Sequence, residues 1–312
     1  MDGRPEMVNG GDRSGSRAAA RVTTAPPRDP LPYLLLVPAL VFLLAVTMPP
    51  FLFGIVASFT RWSLTRPDDG ITFVGLDNYA SILTDPSFGK ILANTLIYTV
   101  GSVGASLVLG LGIAMLLNRR MRGKGLYQTL LLIPMVATPM VIALGFRYLY
   151  NGDYGVITYL LSLAGGDGSS PLGSPTAALP AVMAVEIWQW TPFMALVLLA
   201  GLESIPRRPY EAASVDGASA WQTFRFVTLP QLRRVVLVVV LIRSMDAFRS
   251  FDLIYMMTKG GPGIETETLI MTDWRQSFAF FNVGIGAALA MIMLYGVLLV
   301  SWSFMRAAGL KT

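Results

Sequence analysis

The sequence predicts an all-α integral membrane protein with six transmembrane helices. Three observations predict it. Only 14% of the residues are charged and 54% are hydrophobic, with a mean hydropathy of +0.57, whereas soluble domains carry roughly 25% charged residues. Apolar stretches recur six times, each near the ~20 residues that a helix needs to cross the hydrocarbon core. Basic residues are dense in alternate connections and sparse in the others, the mark of a chain threaded back and forth across a bilayer.

In chain order, residues 1–30 come first. They are rich in Gly, Arg, Ser and Pro, cannot bury a core, and are expected to form a disordered cytoplasmic tail. The tail is too long and mixed for a signal-peptide leader. The apolar run after it also exceeds an h-region of about 7–15 residues, so it reads as a retained helix. Residues 31–312 form the six-helix domain, with spans expected at 33–58, 93–117, 126–149, 177–201, 233–256 and 283–305. Arg243, Asp246, Arg249 and Asp252 interrupt the fifth. Between the first two spans, Phe73-Val-Gly-Leu-Asp-Asn-Tyr79 reads as a turn and a short helix. The third connection, 150–176, is rich in Gly, Ser and Pro. Tyr148, Tyr150, Trp188 and Trp274 near the span ends read as interface-belt aromatics.

Charge sets the expected orientation. Arg4, Arg13, Arg17, Arg21 and Arg28 lie in the tail. Arg119, Arg120, Arg122 and Lys124 lie in the second connection. Arg207, Arg208, Arg225, Arg233 and Arg234 lie in the fourth, and Arg306 and Lys311 at the end. The other three connections hold only Arg61, Arg66, Lys90, Lys259 and Arg275. The positive-inside rule then places both termini in the cytoplasm. Because the positives follow topology, the net charge of +5 is no sign of nucleic-acid binding.

The sequence has no cysteine and no histidine. That excludes disulfides, thiolate chemistry, His-ligated metals and Ser-His-Asp triads. No catalytic or metal-binding residue is singled out. No phosphate-binding Gly-x-x-x-x-Gly-Lys-Ser/Thr loop occurs, so no ATP site is expected on this chain.

The connection at about 202–232 is far longer than the usual 2–8 residues between bundled helices. Pro209 suits the first turn of a short helix, and Glu211 the positive end of its dipole. Ala212, Ala213 and Ala218 are small enough for another surface to approach closely. Gly217 stops or kinks the helix, and Pro230 restarts the chain at the fifth span. Physics alone leaves two readings open, a solvated loop helix and a knob that docks into a partner. The segment resembles the cytoplasmic signature of permease subunits of binding-protein-dependent ABC importers. That signature begins Glu-Ala-Ala, has Gly four residues after the last Ala, and ends in Leu-Pro. Glu211, Ala212, Ala213, Gly217, Val227, Leu229 and Pro230 fall in register.

The resemblance implies a type I permease core whose coupling helix, with Asp216 and Ala218 beside the motif, inserts into a separate ATPase subunit, Glu211 pairing with a cation there. Asp252-Leu-Ile-Tyr255, Gly260-Gly-Pro262 and Thr266-Glu-Thr268, together with Asn78-Tyr79, Asn94-Thr95 and Asp153-Tyr-Gly155, are similar to the carbohydrate subfamily of maltose and glycerol-phosphate type. The extra N-terminal helices and inserted external domain of the maltose permease are missing. The resemblance further implies a second, related permease chain, two ATPase copies that hold ATP and Mg, an extracellular solute-binding protein, and residence in a bacterial or archaeal cell membrane.

Polar residues at membrane depth suggest a hydrated cavity. Arg243, Asp246, Ala247 and Ser250 share one face of the fifth span, with Arg249 beside them. Glu186, Gln189, Trp190 and Phe193 share one face of the fourth. Carboxylate, amide and guanidinium groups beside an aromatic face suit a sugar. The same residues could instead form structural ion pairs, Arg243–Asp246 or Glu186–Arg249. Two functional alternatives stand beside sugar import: import of glycerol phosphate or another polar solute, and proton-coupled secondary transport through Glu186 and Asp246.

Overall fold

The computed structural model describes residues 31–119 and 121–307. The expected disordered tail at 1–30 lies outside these residues, as do Arg120 and, at the C-terminus, Lys311.

The described chain divides into two compact units, one ending at Pro49 and the other beginning at Pro50. The first is helical from Leu31 and forms the start of α1, Leu31–Ser58. In the second, a two-residue hairpin, β1 (Thr60–Arg61) and β2 (Thr72–Phe73), leads to α2, Asp77–Thr84. The turn and short helix expected there are present. Asn78 holds them in place, donating from Nδ2 to the carbonyls of Ser58 and Thr60 at 2.9 and 2.8 Å.

The long helix α3, Phe88–Leu117, begins five residues before the expected span. Next come α4 (Lys124–Val136), α5 (Pro139–Leu149), α6 (Val156–Leu163) and α7 (Ala178–Glu203). The long connection carries α8 (Arg208–Val215) and α9 (Ala220–Thr223). The last helices are α10 (Leu229–Phe248), α11 (Asp252–Met257), α12 (Leu269–Trp274) and α13 (Val283–Ala307). Helix α7 is the centre of the bundle: α3 lies along it, α4 and α10 flank it, and α13 packs outside α10.

Among the described residues, α1, α3, α7 and α13 are long and apolar enough to cross a membrane, and the bent pair α4–α5 makes a fifth candidate. Two expected spans are therefore corrected. The third is not one helix over 126–149. It breaks after Val136 and bends by 89°, because Pro139 has no N–H to give and pushes the preceding residue out of the helical region. Ala137 and Thr138 are both extended, with ψ near 139° and 137°. The fifth does not run through 233–256. Helix α10 starts at Leu229 and stops at Phe248, where Arg249 closes its last turn by donating from Nε to the Met245 carbonyl at 3.2 Å. The connection 150–176 contains α6, which its Gly and Pro content concealed.

The polarity of α3 is inverted relative to a soluble helix. Asn94, Thr95, Tyr98, Thr99, Ser102 and Ser106 are buried, while Leu96, Ile97, Val100, Val108 and Leu109 are exposed. Lipid is as apolar as leucine, so close packing and hydrogen bonding, not burial of apolar area, bring such helices together. The backbones come closest at Gly110, where an added Cβ would sit 2.6 Å from Met194 Cβ and 3.0 Å from the Ala195 backbone nitrogen; at Gly101 it would meet only the flexible end of Met183. Gly110→Ala should overpack the α3–α7 seam at a cost of about 1–3 kcal/mol. Gly112→Ala, where an added Cβ meets nothing within 4 Å, should be neutral. Thermal midpoints of the purified protein in detergent will separate the two, and equal midpoints would contradict this seam.

Candidate functional site

The long connection builds a knob from short-range bonds. Pro209 lies in the first turn of α8, with Glu211 exposed beside it. Gly217 ends the helix at φ +71°. The Ala218 N–H donates to the Ala213 carbonyl at 2.9 Å and the Gly217 N–H to the Ser214 carbonyl at 3.2 Å, which is a Schellman cap. This explains the spacing of Ala213 and Gly217 without a partner. Helix α9 then starts with a capping box between Ser219 and Gln222. Ala212 and Asp216 are exposed, and Ala213 and Ala218 half-buried. Leu229 and Pro230 open α10. The sequence reading missed three apolar side chains standing out from this polar loop, Val215, Trp221 and Phe226 at 87, 69 and 73% exposure. Their unfavourable exposure was legible in a loop otherwise too polar to need them.

The second region is a cavity of about 430 Å³ lined by Pro139, Glu186, Trp190, Arg243, Asp246, Arg249, Ser250, Phe251, Asp252 and Leu253. The charged residues expected from the fourth and fifth spans, α7 and the region of α10, thus do converge. Gln189, Phe193 and Ala247 are not among its walls. Gln189 is buried and donates to the Ala137 carbonyl at the α4–α5 break, at 3.4 Å. Phe193 packs edge-on against Trp190, and Ala247 lies in the apolar core with Val103 and Leu198. A shared helical face is about 100° wide, so its edges meet neighbouring helices and not the cavity.

Arg243 and Glu186 are the deepest members. Their side chains are 2 and 3% exposed and meet through Nη2 and Oε1 at 2.6 Å. Arg243 also lies 3.8 Å from Asp246 and 4.2 Å over the Trp190 ring. Arg249 pairs with Asp246 at 3.6 Å. The expected Arg243–Asp246 pair is therefore present, while Glu186 turns to Arg243 and not to Arg249. Asp246 and Arg249 are about half exposed and open to the cavity. Tyr98, unforeseen in the sequence, reaches this network from α3: its hydroxyl is 3.2 Å from Glu186 Oε2 and 3.0 Å from Ser250 Oγ. Asn94 and Thr95, one turn away, mark the same polar face.

Two of the remaining sequence signals meet each other. Asn94 Nδ2 donates to the carbonyls of Ile264 and Glu267, and the Thr95 hydroxyl accepts from the Leu269 N–H. The segment after Gly260-Gly-Pro262 is thereby tied to α3. Gly260 has φ +89°, and an added Cβ would collide with Glu267 Oε2. Glu267 is in turn held by Arg275 at 2.7 Å. Of the supposed belt aromatics, Tyr148 and Trp188 are exposed, but Tyr150 is buried and donates to the Ala181 carbonyl. Trp274 packs on Phe251 and Tyr255.

A bundle with broken spans, a charged cavity at the breaks and a capped knob on one long connection defines a membrane transport subunit. The chain belongs to the family described as binding-protein-dependent transport system inner membrane component, whose model matches residues 106–308. It is 37% identical over 297 residues to the trehalose transport system permease protein SugA of Mycobacterium tuberculosis, covering 95% of this chain and 92% of that one. It is 36% identical over 265 residues to the trehalose/maltose transport system permease protein MalF of Thermococcus litoralis, covering 84% and 88%. A solved bacterial alginate ABC transporter, in complex with an alginate-bound periplasmic protein, contains a chain of the same fold, with TM-score 0.76, 23% identity and coverage of 91% and 96%. The chain is a multi-pass transport subunit and not an enzyme.

Removing one member of a buried ion pair leaves an uncompensated charge, at a cost of about 3–5 kcal/mol. Arg243→Met and Glu186→Leu should therefore each sharply lower the thermal midpoint in detergent, and the double variant should recover most of the loss. Additive losses would show that the two side chains do not act as a pair.

Proposed function

We propose that this chain is one of two related permease subunits of an ATP-driven importer for an uncharged sugar or oligosaccharide. The observation that carries this reading is the composition of the cavity. Trp190 offers an aromatic face, and Asp246, Ser250 and Asp252 offer oxygen atoms, the combination that sugars require. Both guanidinium groups there already have carboxylate partners. This favours an uncharged solute over glycerol phosphate, which would need an unpaired cation. The trehalose and maltose systems named among the relatives support the same class.

Solute arrives from an external binding protein. Separate ATPase subunits, two per complex, hold ATP and Mg. They engage the knob at Glu211, Ala212, Ala213, Asp216, Gly217 and Ala218, with Leu229 and Pro230 passing the motion to α10. Exposed Glu211 is available to a cation, and Val215, Trp221 and Phe226 supply apolar contact area. Closure of the ATPase pair moves the knobs together, and the cavity opens alternately to each side. In this reading the termini are cytoplasmic and the membrane is that of a bacterial or archaeal cell.

The test is uptake of labelled trehalose and maltose by vesicles holding this chain with its partner permease, ATPase and binding protein. Glu211→Ala should cut uptake by about tenfold or more while the chain still assembles. Asp246→Ala should raise the half-saturating solute concentration by about tenfold, as loss of a hydrogen bond to a charged group implies. Normal transport by Glu211→Ala, with uptake indifferent to the ATPase and abolished by an uncoupler, would favour a secondary transporter.

A further inference from the structure

We infer that Tyr98 is a positioning residue that sets the direction of hydrogen bonding at the cavity wall, making Ser250 an acceptor that selects solutes with a hydroxyl hydrogen at that point. The inference rests on the sugar-importer reading. It follows from counting hydrogens. Glu186 faces Arg243 at 2.6 Å through Oε1, and a carboxylate so paired only accepts. Tyr98 lies 3.2 Å from the other oxygen, Oε2, and has one hydrogen, which it gives to that oxygen. The 3.0 Å contact between Tyr98 and Ser250 is then a hydrogen bond only if Ser250 donates. The chain runs from Ser250 to Tyr98 to Glu186, and the single hydroxyl hydrogen of Ser250 is committed to it.

Ser250 itself lines the cavity, whereas Tyr98 is 1% exposed and is not among its walls. What Ser250 presents to a solute is therefore a lone pair. The carboxylates of Asp246 and Asp252 stand on the same wall and also accept. Arg249 on the same wall pairs with Asp246 at 3.6 Å and donates through Nε to the Met245 carbonyl at 3.2 Å, which leaves Nη hydrogens for other acceptors, so the selection is confined to the contact at Ser250. A buried side chain on α3 thus determines what a solute must offer beside α10. A purely structural Tyr98 would hold the helices together and leave this preference unchanged.

The experiment uses the complete reconstituted importer and labelled trehalose, with unlabelled deoxy and deoxyfluoro trehaloses as competitors, one hydroxyl position at a time. Fluorine accepts weakly and cannot donate; hydrogen does neither. In the native chain, the two analogues at the position facing Ser250 should compete equally poorly. Tyr98→Phe frees the Ser250 hydrogen, so the fluoro analogue should gain about threefold on the deoxy analogue there and nowhere else, as one weak hydrogen bond implies. The binding protein is common to both measurements and cancels. An unchanged ratio at every position overturns the inference. Should Tyr98→Phe fail to assemble, Ser250→Ala decides: it should erase the difference between trehalose and its deoxy analogue at that position, and full retention of that difference overturns the inference. If the native importer takes up neither trehalose nor maltose but does take up glycerol phosphate, the sugar reading itself fails, and the selection by Ser250 with it.

Discussion

The ion pair between Glu186 and Arg243 is the constraint around which the bundle is arranged. Two charges at nearly zero exposure within an apolar bundle persist only if each finds the other; here Glu186 also accepts from Tyr98, while Arg243 Nε has no hydrogen-bond partner among the described residues. That requirement fixes α7 against α10, places the Trp190 face under the guanidinium, and brings Tyr98 in from α3. The groups left over, Asp246, Arg249 and Ser250, line the cavity. On the proposed importer reading, the pair is the deep end of the site and these three more open side chains are the ones that meet a solute.

Much of this was legible in the sequence, for reasons that differ between residues. The spans at α1, α3, α7 and α13 follow from length and hydropathy, which bilayer thickness sets directly. The broken spans were harder. Pro139 announces a disturbance, but neither its 89° size nor its place beside Gln189 follows from one proline. The end of α10 has neither proline nor glycine; Arg243, Asp246, Arg249 and Asp252 mark an interruption of the span, but that Arg249 closes the helix on Met245 does not follow from their charge. Helical periodicity put Gln189, Phe193 and Ala247 with the site because it defines a face and not the neighbour that covers it. Tyr98 escaped notice as one aromatic in an apolar helix, although its polar neighbours Asn94 and Thr95 shared its side.

The motifs that carry family resemblance have local physical causes as well. The interval between Ala213 and Gly217 is the interval of a Schellman cap. Gly260 is glycine because Glu267 occupies the place of a side chain. Asn94 and Thr95 are required by the backbone of the segment that follows Gly260-Gly-Pro262. Such residues build the scaffold on which transport depends, and they are silent about which solute is carried. On the proposed reading, that information lies in the few side chains around Asp246 and Ser250.

The knob's construction has a mechanical consequence. The Schellman cap and the capping box close it with short-range bonds, and Tyr210 fastens it to Thr228 through their hydroxyls at 3.2 Å. It contains no long irregular stretch in which a displacement could be dissipated. In the proposed coupling role, a push on α8 is therefore delivered as movement of a stiff peg, through the short π-helical turn at Phe224–Thr228, into the base of α10. At its other end α10 stops at Phe248, and the chain turns there beside the cavity. One continuous helix thus joins a knob of fixed shape to the wall of a distant pocket, so a displacement at one end is a displacement at the other.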